Sequence, residues 1–580
     1  MKKKVLLLMA CFMAFVVVLA ACGNEEPTAD TPSNDAPATT APPADDTAGG
    51  DDTAAGEGVE GTDELYLDAD GNLRFHETRT ISVAMWERDS DRLPNFDESY
   101  WADWIVENML ATHNVQVEWE VIPRWSEGDH ISMLLGGGAA PDVGMTFGGS
   151  IVESYANMGG MINLIPYLDS YRHLLPNLYY HLGEDIIYWN FNPEANELHS
   201  LMGREAIHGR INTFIREDWL NALDLPIPTT HEEFEATLLA FRDRYDELPG
   251  DLSINDVIPF MSGSNVGWDI GAITESFIPS DISERDWYVY GWDAMRFMHR
   301  DAIYQAASMV NRWFYEGLMW DDFVIAEGSI GQDRIRLGHV GSVIANWDLP
   351  FRPADRWILD MRDNIGPDAN FIPIAPFPSD SGEPQIFLAA AAQRNIFFPH
   401  TNNEVLASLL YLDFMSRPDT LFTLQVGVEG IHFETNADGT LNFLAEEEGG
   451  HQFPDNMLMP SARNFDITVT ANGISHLDTL FNSYGGIEPA AVEASRNFMV
   501  RYGRAFAPVN VRPIAAQDGM TGLEEERTEI LQILVAGTSP ENFTARFNEL
   551  YEAYLNMGGR AIIEERLEAW IEEFGDVENR

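Results

Sequence analysis

Three lysines, Lys2 to Lys4, precede an unbroken apolar run from Val5 to Leu19, after which the chain turns polar. From Gly23 to about Thr62 it consists of Pro, Thr, Ala, Gly and acidic residues, with no arginine and almost no large apolar side chain. Such a stretch cannot bury enough surface to fold, which predicts a disordered tether. Roughly 40 flexible residues span about 35 Å on average, and like charges extend them further.

Regular patterning begins at Leu65. Leu65-Tyr66-Leu67 and Leu73-Arg74-Phe75 flank Asp70-Gly71, the dipeptide of a tight hairpin. The spacing Asp68-x-Asp70-x-Asn72 hints at a calcium loop. Leu73 stands where the loop glycine belongs and Arg79 where the bidentate Glu belongs, so the hairpin is the better reading. Ile81, Val83 and Met85 alternate, as do Val115, Val117, Trp119 and Val121, and between them Tyr100 to Leu110 has helical period. A short strand, Asp142 to Phe147, follows Gly136-Gly137-Gly138. Strands alternating with helices predict a layered α/β domain.

Later segments are more helical. Thr230-His231-Glu232-Glu233 is a capping box opening a helix with Phe234, Leu238, Phe241 and Tyr245 on one face. Ser539-Pro540 starts a helix with Phe543, Phe547, Leu550, Tyr551 and Tyr554 inward, and Gly558-Gly559 ends it. A last helix carries Ile563, Leu567, Trp570, Ile571 and Phe574 on its apolar stripe. No internal repeat is visible, and a body of roughly 515 residues divides into at least two domains.

Composition then removes several function classes. The two cysteines are Cys11 and Cys22, so the folded body has no thiol for disulfides, nucleophilic catalysis or metal binding. Every lysine lies at positions 2–4. That excludes Schiff-base chemistry in the body and a nucleotide-binding P-loop; an energy-driven process would draw on an ATPase in a separate chain. With 93 acidic against 35 basic residues the formal charge is −58, which repels nucleic acid and anionic lipid. Exclusive use of arginine suits an alkaline or salty habitat, and genomic base composition gives the same bias. Neither a G-x-S-x-G elbow nor an H-E-x-x-H helix is present; His76-Glu77 and His231-Glu232 lack the second histidine. An exported glycoside hydrolase would need two carboxylates about 5 to 9.5 Å apart, and no segment marks such a pair.

Leu19-Ala20-Ala21-Cys22 resembles the lipobox of bacterial lipoproteins, in which the thiol of the first mature residue receives diacylglycerol before cleavage. The apolar run is short for a membrane span of about 20 residues. The resemblance implies a signal peptide over 1–21, lipidation at Cys22 and a lipidated disordered linker over 22–63. It places the protein on the extracytoplasmic face of the cell membrane, held by its lipid anchor. A plain signal peptide or an N-terminal membrane helix is the competing reading.

An ordered series of segments over nearly the whole chain resembles the extracellular solute-binding lipoproteins of bacterial ABC importers, in their large sugar-binding branch. Leu134-Leu135-Gly136-Gly137-Gly138-Ala139-Ala140-Pro141-Asp142-Val143 is similar to the small-residue loop and Pro-Asp-apolar step before a strand. Gly160-Met161-Ile162-Asn163-Leu164-Ile165-Pro166-Tyr167-Leu168 resembles the family's Gly-x-Leu-x-Asp-Leu-x-Pro-Tyr-Leu. Phe214 to Leu220, then Pro228 to Phe234, resemble the crossover strand and the Pro-x-Thr-x-x-Glu-Phe helix. Gly338-His339-Val340-Gly341 through Trp347 resembles the Gly-x-x-Gly…Trp strand, and Tyr554 to Ile563 the terminal helix pair. One segment departs. Relatives often carry an oxygen-rich calcium loop where this chain has Leu248 to Pro259; only Asp256 and the Ile-Pro tail persist, and Leu248 and Leu252 replace ligand positions. A hard cation needs six or more oxygens, so the resemblance with this departure predicts that the site is lost.

The resemblance implies a two-lobe α/β fold of the periplasmic-binding-protein-like type II, with a ligand cleft between lobes that close by hinge motion. Its expected lobes are 64–206 with 375–425, and 207–374 with 426–580. It implies a carbohydrate ligand, most simply an oligosaccharide, delivered to ABC permease subunits by a non-catalytic monomer with no metal or cofactor. Candidates for the cleft come from loops at the carboxyl ends of strands. They are Trp86, Glu87 and Arg88; Arg124 and Trp125; Phe147 and Gly148, with Gly149 beside them; and, from the second lobe, Trp268, Asp269, Trp347 and Asp348. Core packing is the competing role for each tryptophan, and Asp142 reads as structural. Arg88, Arg124, Arg352 and Arg512 would suit an acidic sugar, while the acidic surface suits a neutral one. The alternatives are a hydrolase, or a sensor or peptide binder of the same fold.

Overall fold

The computed structural model describes residues 58–59, 62–87, 100–205, 211–262, 266–293, 295–324, 330–352, 355–388, 391–437, 441–444, 465–466, 469–472, 486–506, 509, 511, 514–516 and 520–580. The expected signal peptide, Cys22 and nearly all of the linker lie outside these residues, as do Arg88 and Arg512.

Strands β1 (Thr62–Leu67) and β2 (Leu73–Phe75) form the expected hairpin, with Leu65 opposite Phe75 and Leu67 opposite Leu73. Asp68 closes its loop by accepting the backbone N–H groups of Asp70 and Asn72 at 3.0 and 2.8 Å. The spacing that hints at calcium therefore makes an Asx turn. Next come β3 (Arg79–Glu87), helix α1 (Tyr100–His113) and β4 (Val115–Pro123), with β3 and β4 parallel throughout. Ile81, Val83, Ala84, Met85 and Trp86 are all buried, because the sheet is covered on both faces. Helix α1 turns Trp101, Ile105, Met109 and His113 inward at four-residue spacing.

Helix α2 (Glu127–Gly136) leads to β5 (Gly144–Thr146) and helix α3 (Gly149–Asn157). Asp142 ties this segment to β3: its carboxylate accepts from the Ser82 N–H and hydroxyl at 2.8 and 2.9 Å. Helix α4 (Pro176–Ile187) and β6 (Ser200–Glu205) complete the first pass.

The second lobe opens with β7 (Ile211–Arg216), then α5 (His231–Asp243), β8 (Ile258–Met261), α6 (Arg300–Glu316), β9 (Val340–Asn346), β10 (Phe371–Ile374) and the short β11 (Ile386–Phe387). Its sheet runs β10-β7-β9-β8, with only β8 and β9 parallel. Thr230 caps α5 as expected, its hydroxyl accepting the Glu233 N–H. The Glu233 carboxylate turns back over the same start: it accepts the Thr229 N–H at 2.8 Å, and its bonds from Thr229 and the Thr230 backbone hold its pKa down. The Gly-x-x-Gly motif has two separate causes. Gly338 has φ 78°, the left-handed region, and a Cβ on Gly341 would lie 2.6 Å from Phe241 and 2.7 Å from Trp219.

The chain then returns to the first lobe. Strand β12 (Ala392–Phe397) lies antiparallel between β5 and β6. With the bridge from Val83 to Val143, the first-lobe sheet reads β4-β3-β5-β12-β6, and β14 (Ala471–Asn472) adds in parallel to β6. Helix α7 (Val405–Met415) is buried along its whole length. β13 (Phe465–Asp466) pairs with the end of β3.

Helix α8 (Pro489–Tyr502), strand β15 (Gly503–Arg504) and helices α9 (Met520–Ala536), α10 (Phe543–Tyr554) and α11 (Arg560–Phe574) belong to the second lobe. These pairings move the expected boundaries. β11 pairs with β15, so 375–388 stays with the second lobe, while β13 and β14 keep 465–472 in the first. Between α10 and α11 the backbone widens into a π turn over Leu555–Gly559, with Gly558 at φ 142°. Along α11, Ile563, Leu567 and Phe574 of the expected stripe pack with buried Trp570 against Tyr288 and Val289, Ile562 and Ala569 are buried beside them, and Ile571 is exposed.

Candidate ligand-binding site

The carboxyl ends of β3, β4 and β5 meet at one edge of the first lobe, where an open α/β sheet presents its loops. β3 delivers Trp86 and Glu87, the turn after β4 delivers Arg124, and the turn after β5 delivers Phe147 and Gly148. Phe147 stacks on Trp86 with centroids 4.9 Å apart and an interplanar angle of 23°. The Arg124 guanidinium lies 4.9 Å from the Trp86 ring and 4.5 Å from the Phe147 ring. Arg394 approaches Trp86 from β12 at 5.2 Å. It sits at a bulge between Gln393 and Asn395 with φ 66°, a conformation rare for a side-chain-bearing residue and frequent at functional sites.

Glu127, the first residue of α2, lies beneath this group. It is 8% exposed, and one carboxylate oxygen accepts from the Thr146 hydroxyl at 3.2 Å and the Phe147 N–H at 3.0 Å. Burial pushes its pKa up, opposed by those bonds and by the charges of Arg124 and Arg394. Its other oxygen, Oε2, has no hydrogen-bond partner among the described residues.

These residues open onto a groove of about 540 Å³. One wall is first lobe: Arg124, Glu127, Asp129, Ser132, Phe147, Gly148, Ser150, Ile151, Ser154 and Tyr155. The other is Glu524 and Glu525 on α9 of the second lobe. The groove is therefore interlobe. Helix α9 is fixed by the ion pair between Arg527 and Asp293, both buried, with Asp293 also accepting the N–H groups of Met295 and Phe297 at 3.0 Å. Glu524 keeps 47% of its side chain open to the groove, yet the walls hold back bulk water and raise its pKa.

The expected site residues divide accordingly. Arg124, Phe147 and Gly148 line the groove, and Gly149 begins α3 beside it. Trp86 has no exposed surface and forms the floor under Phe147. Glu87 ends β3, its backbone paired with Phe465. Trp125 lies in the turn after β4, and Trp268 in the helix Val266–Glu275. Asp269 is buried and accepts the Ser262 hydroxyl. Trp347 and Asp348 are interior: the Trp347 carbonyl accepts the Ser495 hydroxyl at 2.6 Å, and Asp348 holds Arg352 in two bonds of 2.7 and 2.9 Å. Arg352 is thus committed to a carboxylate within its own lobe. Glu127, Arg394, Glu524 and Glu525 were not among the expected residues; all four depend on long-range packing, and no local motif marks them.

At the segment compared with a calcium loop, Asp256 accepts from the Ser253 N–H and hydroxyl at 3.1 and 2.6 Å. Those bonds use Asp256 to close a turn, and Leu248 is buried. Among the described residues no group of three or more His, Cys, Asp or Glu side chains is placed to hold a metal ion.

No family model matches the sequence, and no curated protein matches it. Solved structures do. The alginate-binding protein AlgQ2, solved without calcium ion, superposes with a TM-score of 0.61 at 13% identity, covering 85% of this chain and 98% of its own. The HMO-binding solute-binding protein associated with an ABC transporter of Bifidobacterium longum infantis gives 0.56 at 16% identity, covering 85% and 99%. The Streptococcus pneumoniae ABC-transporter substrate-binding protein FusA, in complex with kestose, gives 0.58 at 15% identity, covering 86% and 100%. The chain therefore has the two-lobe fold of the solute-binding proteins.

Proposed function

We propose that this chain is the substrate-binding component of an ABC importer, anchored to the outer face of the cell membrane through Cys22, and that it captures a carbohydrate between its lobes. The observation that carries the reading is the interlobe groove. It has an exposed aromatic face, Phe147, backed by a buried indole, and hydroxyl, carboxylate and guanidinium groups around it. An aromatic face suits the C–H side of a sugar ring, and the polar groups suit its hydroxyls. Solved proteins of the same fold include binders named for alginate and for HMO, and one holding kestose, which supports a glycan ligand.

Ligand contacting both walls favours the closed arrangement, because only there are both sets of contacts made. The closed protein then hands its cargo to a permease whose ATPase is a separate chain. We read the protein as non-catalytic. Glu127 has the raised pKa of a general acid, but its carboxylate is tied to Thr146 and Phe147, as a structural residue would be. Incubation with an oligosaccharide panel tests the reading. A binder gains melting temperature from one or more members and returns them intact. Turnover of any member would make it a hydrolase, and no shift with any glycan would remove carbohydrate as the ligand.

A further inference from the structure

We infer that the groove selects a glycan carrying a protonated amino group over one carrying a carboxylate. The inference rests on the carbohydrate reading above and adds the charge of the cargo to it.

Charge is distributed across the groove in an unusual way. Glu127 and Asp129 stand on the first-lobe wall, Glu524 and Glu525 on the second, and among the described residues Arg124 is the one basic member of the lining. Arg124 is already engaged, packed against two rings and close enough to Glu127 to lower its pKa. Glu524 has Arg527 at 3.8 Å, but that arginine is primarily bound to buried Asp293. Asp129 and Glu525 have no ion-pair partner among the described residues. Glu127 contributes a second, independent observation: it is more than nine-tenths buried, and its Oε2 lacks a donor among the described residues.

Acids on opposing walls also bear on closure. Bringing the lobes together brings like charges together in a space poor in water, where Coulomb interactions are stronger than in bulk. A cationic ligand between the walls converts that repulsion into attraction, so its contacts strengthen as the lobes close. A uronate adds a further negative charge and opposes closure. The −58 charge of the whole chain acts in the same sense on approach, attracting cations and repelling anions.

The test is calorimetric titration of the full chain at about pH 6, where an aliphatic amine of ordinary pKa is protonated. The panel holds several backbones, each as hexosamine, N-acetylhexosamine and hexuronate oligomers of equal length. The expected result is at least about tenfold tighter binding of the amine form than of its N-acetylated form. No uronate should bind as well as its amine counterpart, and added salt should narrow the gap. The double variant E524Q/E525Q, on exposed positions of α9, should keep its melting temperature and bring amine and acetylated forms towards parity. Equal affinity of amine and acetylated forms, preference for a uronate, or an unchanged ratio in the variant overturns the charge inference and leaves the carbohydrate reading standing. Binding of no glycan in any class overturns both.

Discussion

Phe147 lies flat against Trp86, yet the two rings have opposite surroundings: Phe147 is 37% exposed and Trp86 has no exposed surface. The outer ring is available to a ligand, and the inner one holds it in place. Replacing each therefore separates binding from folding. Phe147→Ala is expected to weaken glycan binding about tenfold, with little change in melting temperature. Trp86→Ala is expected to lower stability by about 3 to 5 kcal/mol, the usual range for deleting a buried large aromatic. Thermal denaturation and calorimetry on the two variants check this; equal losses of stability would show that Phe147 is also a core residue.

His113 sets an acid limit. Its Nδ1 donates to the Leu73 carbonyl at 2.7 Å, and its Nε2 accepts from Arg417 at 3.2 Å, so the ring is neutral. Burial, and next the Arg417 charge, push its pKa down to about 4. The folded state thus holds fewer protons than the unfolded chain, whose histidine titrates near its ordinary value. The resulting stability is complete above about pH 6.5, and about 3 kcal/mol of it is lost as pH falls through 4. Urea denaturation from pH 7 to 4 should show this decline, and His113→Asn should flatten it. A wild-type slope that persists in the variant would assign the decline to other groups.

Asp413, on α7, caps α4 from more than two hundred residues away, accepting the N–H groups of Asn177 and Leu178 at 2.8 and 2.9 Å. These are helix-start donors with no intrahelical partner. Asp413→Ala is expected to destabilise by about 1 to 3 kcal/mol. Hydrogen exchange should localise the effect to the first turn of α4, and unchanged protection there would contradict the assignment.

Gly341 lies against Trp219 and Phe241 with no room for a Cβ. Gly341→Ala is expected to lower stability by about 1 to 3 kcal/mol through overpacking. Gly366→Ala makes a useful contrast: its side chain would meet nothing within 4 Å, so any loss there comes from its φ of 143° alone. Melting curves of both variants distinguish crowding from backbone strain.

Local signals were the legible part of this fold. The hairpin at Asp70-Gly71, the parallel pair β3 and β4, the Thr230 cap and the inward rings of α10 all follow from nearest-neighbour chemistry. The sequence also named three groove residues, Arg124, Phe147 and Gly148, because strand ends are where such sheets bind ligand. It did not show that Trp347 and Asp348 face inward, since a Trp-Asp pair after a strand looks alike whether Ser495 and Arg352 are beside it or not. The lobe limits were displaced for a similar reason. β11 and β13 are two residues each, too short for periodicity, and their lobe is decided by partners far along the chain. The acidic groove wall is likewise a product of packing, since Glu524 and Glu525 are ordinary members of an acid-rich helix until α9 faces the first lobe.

The central claim is a clamp that shuts on a glycan without altering it. Small-angle scattering of the protein, recorded empty and saturated with a glycan that raises its melting temperature, tests this most directly. The expected result is a smaller radius of gyration in the saturated sample, with the glycan recovered unchanged. An identical scattering curve at full occupancy would contradict the account.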